Sequence, residues 1–192
     1  MSVQLFGTTL TTNNVAAVVV AVVVLGVGIG ATATGVLSGV GLDGATAQDQ
    51  SLSTEVTLQS SNSSVAIDGS TTYDVVVESA DGGVGAYDFA VTVDNHSVAS
   101  FENVEVYGGS PTETTDVTVD DDGSTASAVV ALANTSDTGS VTIATVTISG
   151  DNTGASELSL AVNALGTEDG DAYTVTETSG GTVTVEMDDS DS

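Results

Sequence analysis

The feature of this sequence that most constrains its fold is a strict alternation of side-chain type in short runs. Within residues 85–93, a large apolar side chain occupies every second position: Tyr87, Phe89, Val91 and Val93. Residues 72–78 alternate in the same way. Because successive side chains of a strand point to opposite faces, the pattern predicts strands with one face in a core and one in water.

Eight further apolar runs, rich in Val and Thr, have lengths typical of strands. They cover residues 55–58, 101–106, 117–119, 125–133, 141–148, 157–162, 172–175 and 182–187. Turn-forming pairs such as Asp68-Gly69, Asp122-Gly123 and Asp169-Gly170 separate them. The even spacing predicts an all-β fold, a single jelly-roll-like β-sandwich of about nine strands, preceded by a hydrophobic N-terminal segment.

Charge excludes several functions. The 192 residues include no Lys, no Arg and one His against 27 acids, which gives a formal net charge of −27. Nucleic-acid binding is excluded because phosphate contacts depend on Lys and Arg. Anionic membrane surfaces and phosphorylated substrates are disfavoured for the same reason.

The large number of acidic side chains also indicates the salt concentration for which the protein surface is suited. At a separation of ~20 Å in water, each like-charged pair costs roughly 0.2 kcal/mol, and the pairs together amount to tens of kcal/mol. Net folding stability is only about 5–15 kcal/mol. Since molar salt shortens the screening length to about 3 Å, the sequence predicts a halophilic protein.

The N-terminal segment, residues 1–47, is predicted to be an export signal or a membrane anchor. Its first 42 residues carry no charged side chain, and an uninterrupted apolar run begins at Val15 and ends at Ala31. The run is longer than an ordinary signal core and near the minimum for a span, so it could also tether the protein to a membrane. Either outcome predicts an extracellular or cell-surface location.

Residues 48–187 resemble the cohesin domain, the β-sandwich module of cellulosome scaffolds that also occurs in other bacterial and archaeal surface proteins. The similarity lies in the order of TEVTLQ, VAIDGSTTYDVVVESADGGVGAYDFAVTVDNHSVASFENVEVYG, SVTIATVTISGDNTGASELSL and DAYTVTETSGGTVTV. Asp94 and Val98 take the places of the family's aspartate and aliphatic residue after its aromatic strand. Asn95 stands where the family often has proline.

The resemblance implies a surface or secreted, non-enzymatic recognition module that binds a dockerin-type protein partner. It does not identify ligand-binding residues, because no short motif defines the binding face. Two other functions fit the sequence: a carbohydrate-binding module of polysaccharide-related machinery, and a structural cell-envelope or filament subunit. Among the aromatics, Tyr107 and Tyr173 are the candidates for contact with sugar rings.

No catalytic residue is predicted. The chain has no Cys, and His96 is the sole His, placed between Asn95 and Ser97 in a predicted loop. Without a second feature near it, His96 is interpreted as an exposed loop residue. Carboxylate pairs carry no information against a background of 27 acids. The chain is therefore predicted not to be an enzyme.

No cofactor and no metal ligand is predicted, although Ca²⁺ is the cation that the acidic turns could hold. The runs Asp120-Asp121-Asp122 and Asp169-Gly170-Asp171 do not have the spacing of a Ca²⁺-binding loop, and they are interpreted as solvated turns. Three sequons, at Asn62, Asn95 and Asn134, are candidate N-glycosylation sites in predicted loops. Residues 188–192 are interpreted as an acidic tail.

Overall fold

In a computed structural model, the alternating runs form eleven strands; the structure describes residues 52–108, 115–133, 135 and 137–187. The strands are β1 Ser53–Gln59, β2 Ser64–Ala66, β3 Ser70–Val77, β4 Ala86–Val93, β5 Ala99–Val106, β6 Thr115–Val119, β7 Thr125–Ala131, β8 Val141–Gly150, β9 Gly154–Gly166, β10 Thr174–Ser179 and β11 Gly181–Glu186. The described residues contain no helix. The N-terminal segment at residues 1–47, Asn134 and the tail at residues 188–192 lie outside them.

The strands form two sheets that pack face to face. One has five strands in the order β10-β1-β3-β8-β5, and the other has six in the order β2-β11-β9-β4-β7-β6. All pairs are antiparallel except β1 with β10 and β2 with β11, which are parallel. The predicted all-β sandwich is confirmed, with eleven strands instead of about nine.

The two parallel pairs show how the first and last segments close one side of the sandwich. β1 and β10 lie side by side in the five-stranded sheet, and β2 and β11 lie side by side in the six-stranded sheet. Both chain segments therefore cross from one sheet to the other, the second of them at Gly180. A Cβ at Gly180 would overlap the carbonyl oxygen of Leu158, so this crossing requires glycine.

The core lies between the sheets and is built by the alternation seen in the sequence. β4 shows the pattern most clearly, since Tyr87, Phe89 and Val91 are at most 1% exposed. From the opposite sheet, Val75, Val146 and other Val and Ile side chains of β3 and β8 complete the core. A shift of one residue in the pairing of β4 would point these side chains toward the solvent. Their burial therefore fixes the register of the strand.

Buried tyrosine hydroxyls connect the two sheets. Tyr87 Oη on β4 shares its one proton between the carbonyl oxygens of Ile143 and Tyr107, at 2.9 and 2.8 Å. In the reverse direction, Tyr73 Oη on β3 donates to the carbonyl oxygen of Thr182 on β11 at 2.6 Å. Burial raises the pKa of both tyrosines above its usual range. No buried side-chain polar atom of the described residues lacks a hydrogen-bond partner.

The structure differs most from the sequence prediction at three strands. β2 was missed because three residues are too short to show a period of two. The strand predicted at 172–175 exists but begins later: Ala172 forms only an isolated bridge with Gly166, and β10 runs from Thr174 to Ser179. β9 has 13 residues rather than the six predicted at 157–162, because both of its ends are rich in Gly, Ala and Asn and carry no strong pattern.

We expect substitutions on β4 to separate its two faces. Phe89 is fully buried, so Phe89→Ala loses transfer energy and leaves a cavity, and the free energy of unfolding should fall by roughly 3–5 kcal/mol. Asp88 is half-buried on the outer side of the sheet. Asp88→Ala should change the free energy of unfolding by less than about 1 kcal/mol. Denaturant titration in multimolar KCl measures both. Equal effects would contradict the assigned register.

Salt should control the stability of the folded state. None of the described Asp or Glu side chains is buried, so the charge repulsion acts at the surface, where dissolved ions screen it. On dialysis from multimolar KCl to low salt, we expect loss of the β-type circular dichroism spectrum. An unchanged spectrum and melting temperature at about 50 mM salt, where the screening length exceeds 10 Å, would contradict the halophilic interpretation.

Candidate functional site

The outer surface of the six-stranded sheet is the candidate site for a macromolecular partner. Four neighbouring strands of this sheet, β9, β4, β7 and β6, turn mostly small side chains outward, and β9 also carries the exposed Glu157. We call this surface the small-residue face; it consists of Ala86, Asp88, Ala90, Thr92, Asp116, Thr118, Thr125, Ser127, Val129, Ala131, Ser159, Ala161 and Asn163.

Strand register places the smallest of these side chains in one row across the sheet. Ala90 on β4 pairs with Ala161 on β9 and with Ser127 on β7, which pairs in turn with Thr118 on β6. Four strands at a spacing of about 4.8 Å give a platform roughly 14 Å wide. No large side chain interrupts this row, so a partner can approach the backbone of the sheet closely.

Carboxylates lie beside the central row. Val129 on β7 pairs with Asp88 on one side and with Asp116 on the other. Asn163, at an irregularity in the pairing of β9 with β4, donates from Nδ2 to Asp88 Oδ1 at 3.1 Å. Since the chain has no Lys or Arg, the charge of this face is negative. The face therefore suits a partner that donates hydrogen bonds or carries positive charge.

The outer surface of the five-stranded sheet differs in that its polar side chains bind one another. Glu78 accepts hydrogen bonds from Thr57 Oγ1 at 2.8 Å and from Gln59 Nε2 at 2.7 Å. Thr145 Oγ1 donates to Asp74 Oδ1 at 2.6 Å and lies 3.1 Å from Tyr107 Oη. These polar groups are already partnered, whereas the small-residue face has one such side-chain pair among its described residues, Asn163 with Asp88.

Asp94 and Val98, two of the residues matched to the cohesin pattern, lie in the connection from β4 to β5. Asp94 is exposed and donates its backbone N–H to the carbonyl oxygen of Glu157 at 3.0 Å. Val98 is buried, and its carbonyl oxygen accepts from the N–H groups of Asp151 and Asn152. Val98 therefore anchors the loop to the core, while His96 is exposed as predicted.

Two of the three sequons lie in exposed turns of the same construction. Asn62 Oδ1 accepts the N–H of Ser64 at 3.1 Å, and Asn95 Oδ1 accepts the N–H of Ser97 at 3.2 Å. These bonds use the side-chain oxygen, so the Nδ2 nitrogen, to which an N-linked glycan would be attached, takes no part in them. Asn134 lies outside the described residues.

The structure separates the two tyrosines that the sequence offered for sugar contact. Tyr173 is buried, and its Oη accepts from the N–H of Gly82 at 2.9 Å and donates to the carbonyl oxygen of Gly83 at 2.9 Å. The prediction that Tyr173 could contact sugar is therefore wrong; its ring is part of the core. Tyr107 remains 38% exposed. Both tyrosines lie just outside a strand, and no sequence pattern there distinguishes a buried residue from an exposed one.

In the acidic turn between β6 and β7, Asp120 and Asp122 form hydrogen bonds with residues of the same turn. Asp120 accepts from Ser124 Oγ at 2.9 Å and from the N–H of Thr125 at 2.8 Å, and so closes the turn between β6 and β7. Hydrogen bonds from the side chain and the N–H of Ser124 hold the pKa of Asp122 below its usual range. Asp169 and Asp171 are exposed. Among the described residues, no three His, Asp or Glu side chains lie close enough together to hold a metal ion.

Comparison with solved structures defines the class of fold. No protein-family model matches the sequence, and no curated protein matches it. Similar structures include the seventh ScaB type I cohesin from Pseudobacteroides cellulosolvens, which is 14% identical and has a TM-score of 0.57. The match covers 73% of this chain and 97% of that cohesin. A type I cohesin in a cohesin–dockerin complex from Clostridium thermocellum has 14% identity, coverages of 70% and 99%, and a TM-score of 0.56.

An archaeal structure belongs to the same group. The non-cellulosomal cohesin from the hyperthermophilic archaeon Archaeoglobus fulgidus is 21% identical and has a TM-score of 0.50. The match covers 70% of this chain and 91% of that cohesin. The described chain is thus a β-sandwich module, and its particular fold is cohesin-like. The resemblance predicted from the sequence is confirmed at the level of the fold. Within the described ranges, no helix is long and apolar enough to cross a membrane.

Proposed function

We propose that this protein is a non-enzymatic recognition module that binds a dockerin-type protein partner through the small-residue face. The observation that carries the proposal is the row Ala161-Ala90-Ser127, which leaves the centre of a four-stranded surface flat and open. The cohesin-like fold supports it, since one similar cohesin from Clostridium thermocellum was solved in a complex with a dockerin.

The chemistry of the face defines what the partner offers. A flat surface of Ala, Ser and Thr side chains favours a partner element that packs closely and excludes water over the central row. Asp88 and Asp116, on either side of Val129, accept hydrogen bonds from donors at the edge of the contact, Lys or Arg among them. Because molar salt screens long-range attraction, packing over the row supplies most of the affinity.

A bulky substitution tests the face directly. The partner is first isolated from a native high-salt extract with the full-length protein as bait, and its affinity is then measured by calorimetry. Ala90→Trp places a large ring at the centre of the row, and we expect affinity to fall about 30-fold or more. Thr147→Trp, on the interior strand β8 of the opposite sheet, is the matched control and should leave affinity unchanged.

Three results would count against the proposal. Equal affinities for the Ala90→Trp variant and the unsubstituted protein would exclude the small-residue face. Retention on polysaccharide with no protein partner would favour a carbohydrate-binding module. Assembly of the chain into polymers through this face would favour a structural cell-envelope or filament subunit.

The proposal includes export to the cell surface or the medium. Residues 1–42 are uncharged and all 27 acids follow them, an order that suits a cleaved signal or a retained anchor. Mass spectrometry of native protein should find it in the envelope or medium, with its N-terminus near Thr34 or Gln48 if cleaved. Glycan mass is expected at one or more of Asn62, Asn95 and Asn134. Cytosolic protein with Met1 and unmodified sequons would contradict this.

A further inference from the structure

A groove opens on the side of the sandwich opposite the small-residue face. It lies where β3, β8 and the chain after β5 meet, and its volume is about 570 Å³. Asp74, Tyr107, Asp137, Thr138, Ser140 and Thr142 line it. The volume falls in the range of small-ligand sites in proteins, about 300–1,000 Å³.

Tyr107 is the exposed aromatic residue of the described chain. The other described aromatics are buried: Tyr73, Tyr87, Phe89, Phe101 and Tyr173. An aromatic ring left 38% exposed beside a groove offers an apolar surface to a ligand.

The position of Tyr107 is fixed from three directions, although it lies beyond the end of β5. Its N–H donates to the carbonyl oxygen of Ile143 at 2.8 Å, and its own carbonyl oxygen accepts from the buried Tyr87 Oη at 2.8 Å. Its hydroxyl contacts Thr145 Oγ1 at 3.1 Å. A side chain held in this way loses little conformational freedom when a ligand binds, which favours affinity.

The hydrogen bonds at the groove have a defined direction. Thr145 Oγ1 donates its single proton to Asp74 Oδ1 at 2.6 Å, so it can only accept from Tyr107 Oη. The proton of Tyr107 is thus engaged, and the free lone pairs of Asp74 and Asp137 are acceptors. The groove therefore favours a ligand that donates several hydrogen bonds.

The lining selects among ligand classes. With two carboxylates and no cation, the groove disfavours anions. Hydroxyl groups of Thr138, Ser140 and Thr142 both donate and accept, which matches the hydroxyl groups of a sugar. A sugar ring also has an aliphatic face, and the ring of Tyr107 provides an apolar surface for it.

We infer that this groove binds a neutral polysaccharide, with Tyr107 as the platform for one sugar ring and Asp74 and Asp137 as acceptors for its hydroxyl groups. The site is separate from the small-residue face, so one domain could hold a protein partner and a polysaccharide at the same time.

Calorimetry in multimolar KCl tests the inference with the full-length protein. The probes are a soluble β-glucan, a mannan and a galactan, with anionic polygalacturonate and the cation poly-lysine as comparison ligands. We expect at least one neutral polysaccharide to bind and the polygalacturonate not to bind. Tyr107→Ala should weaken that binding about tenfold, and Tyr107→Phe, which keeps the ring but loses the bond to Thr145, by less.

Two controls keep this result independent of folding and of the proposed protein partner. Val117→Ala removes an exposed apolar side chain of the other sheet and should leave sugar binding unchanged. Ala90→Trp should also leave it unchanged, so the two proposed sites can fail separately. Binding of none of the three neutral polysaccharides, binding unaffected by Tyr107→Ala, or preference for poly-lysine would overturn the inference.

Discussion

The hydroxyl group of Tyr87 is the interaction on which both outer surfaces depend. Tyr87 lies on β4 at the centre of the six-stranded sheet, crosses the core, and holds the carbonyl oxygens of Ile143 and Tyr107 in the other sheet. Its neighbours Asp88 and Ala90 belong to the small-residue face, while Tyr107 lines the groove. Loss of this hydroxyl would take away the donor of the Tyr107 carbonyl oxygen, whereas the carbonyl oxygen of Ile143 would keep the N–H of Tyr107. We expect the change to act mainly on the backbone at Tyr107, beside the groove.

The absence of Lys and Arg determines how carboxylates are used. Several carboxylates of the described residues have a neutral hydroxyl or amide as side-chain partner, as in Thr145 with Asp74 and Gln59 with Glu78. Such bonds satisfy the oxygen atoms but leave the negative charge uncompensated. We therefore expect cations of the solvent to provide the compensation that ion pairs provide in ordinary proteins. The same negative charge favours neutral or basic partners over anions.

Sequence could predict the parts of the fold that a local pattern determines. The alternation at residues 85–93 gave β4 and its buried face correctly, because burial of Phe89 and its neighbours depends only on a period of two. It could not give β2 or the parallel pairing of β1 with β10, since these depend on where the segments 53–66 and 174–186 cross between the sheets. It also could not separate Tyr107 from Tyr173, since each lies beyond a strand end and only tertiary packing buries one of them.

The candidate site shows the same limit. Ala90, Ser127 and Ala161 are ordinary small residues in their own strands, and nothing local marks them as a surface for a partner. They become a flat row only because register brings β9, β4 and β7 together at these positions. A shift of one residue in β4 would turn Phe89 and Val91 outward and destroy both the core and the row. The burial that stabilises the sandwich therefore also sets the shape of its proposed binding face, and a change that repacks the core should alter recognition even where no contact residue is replaced.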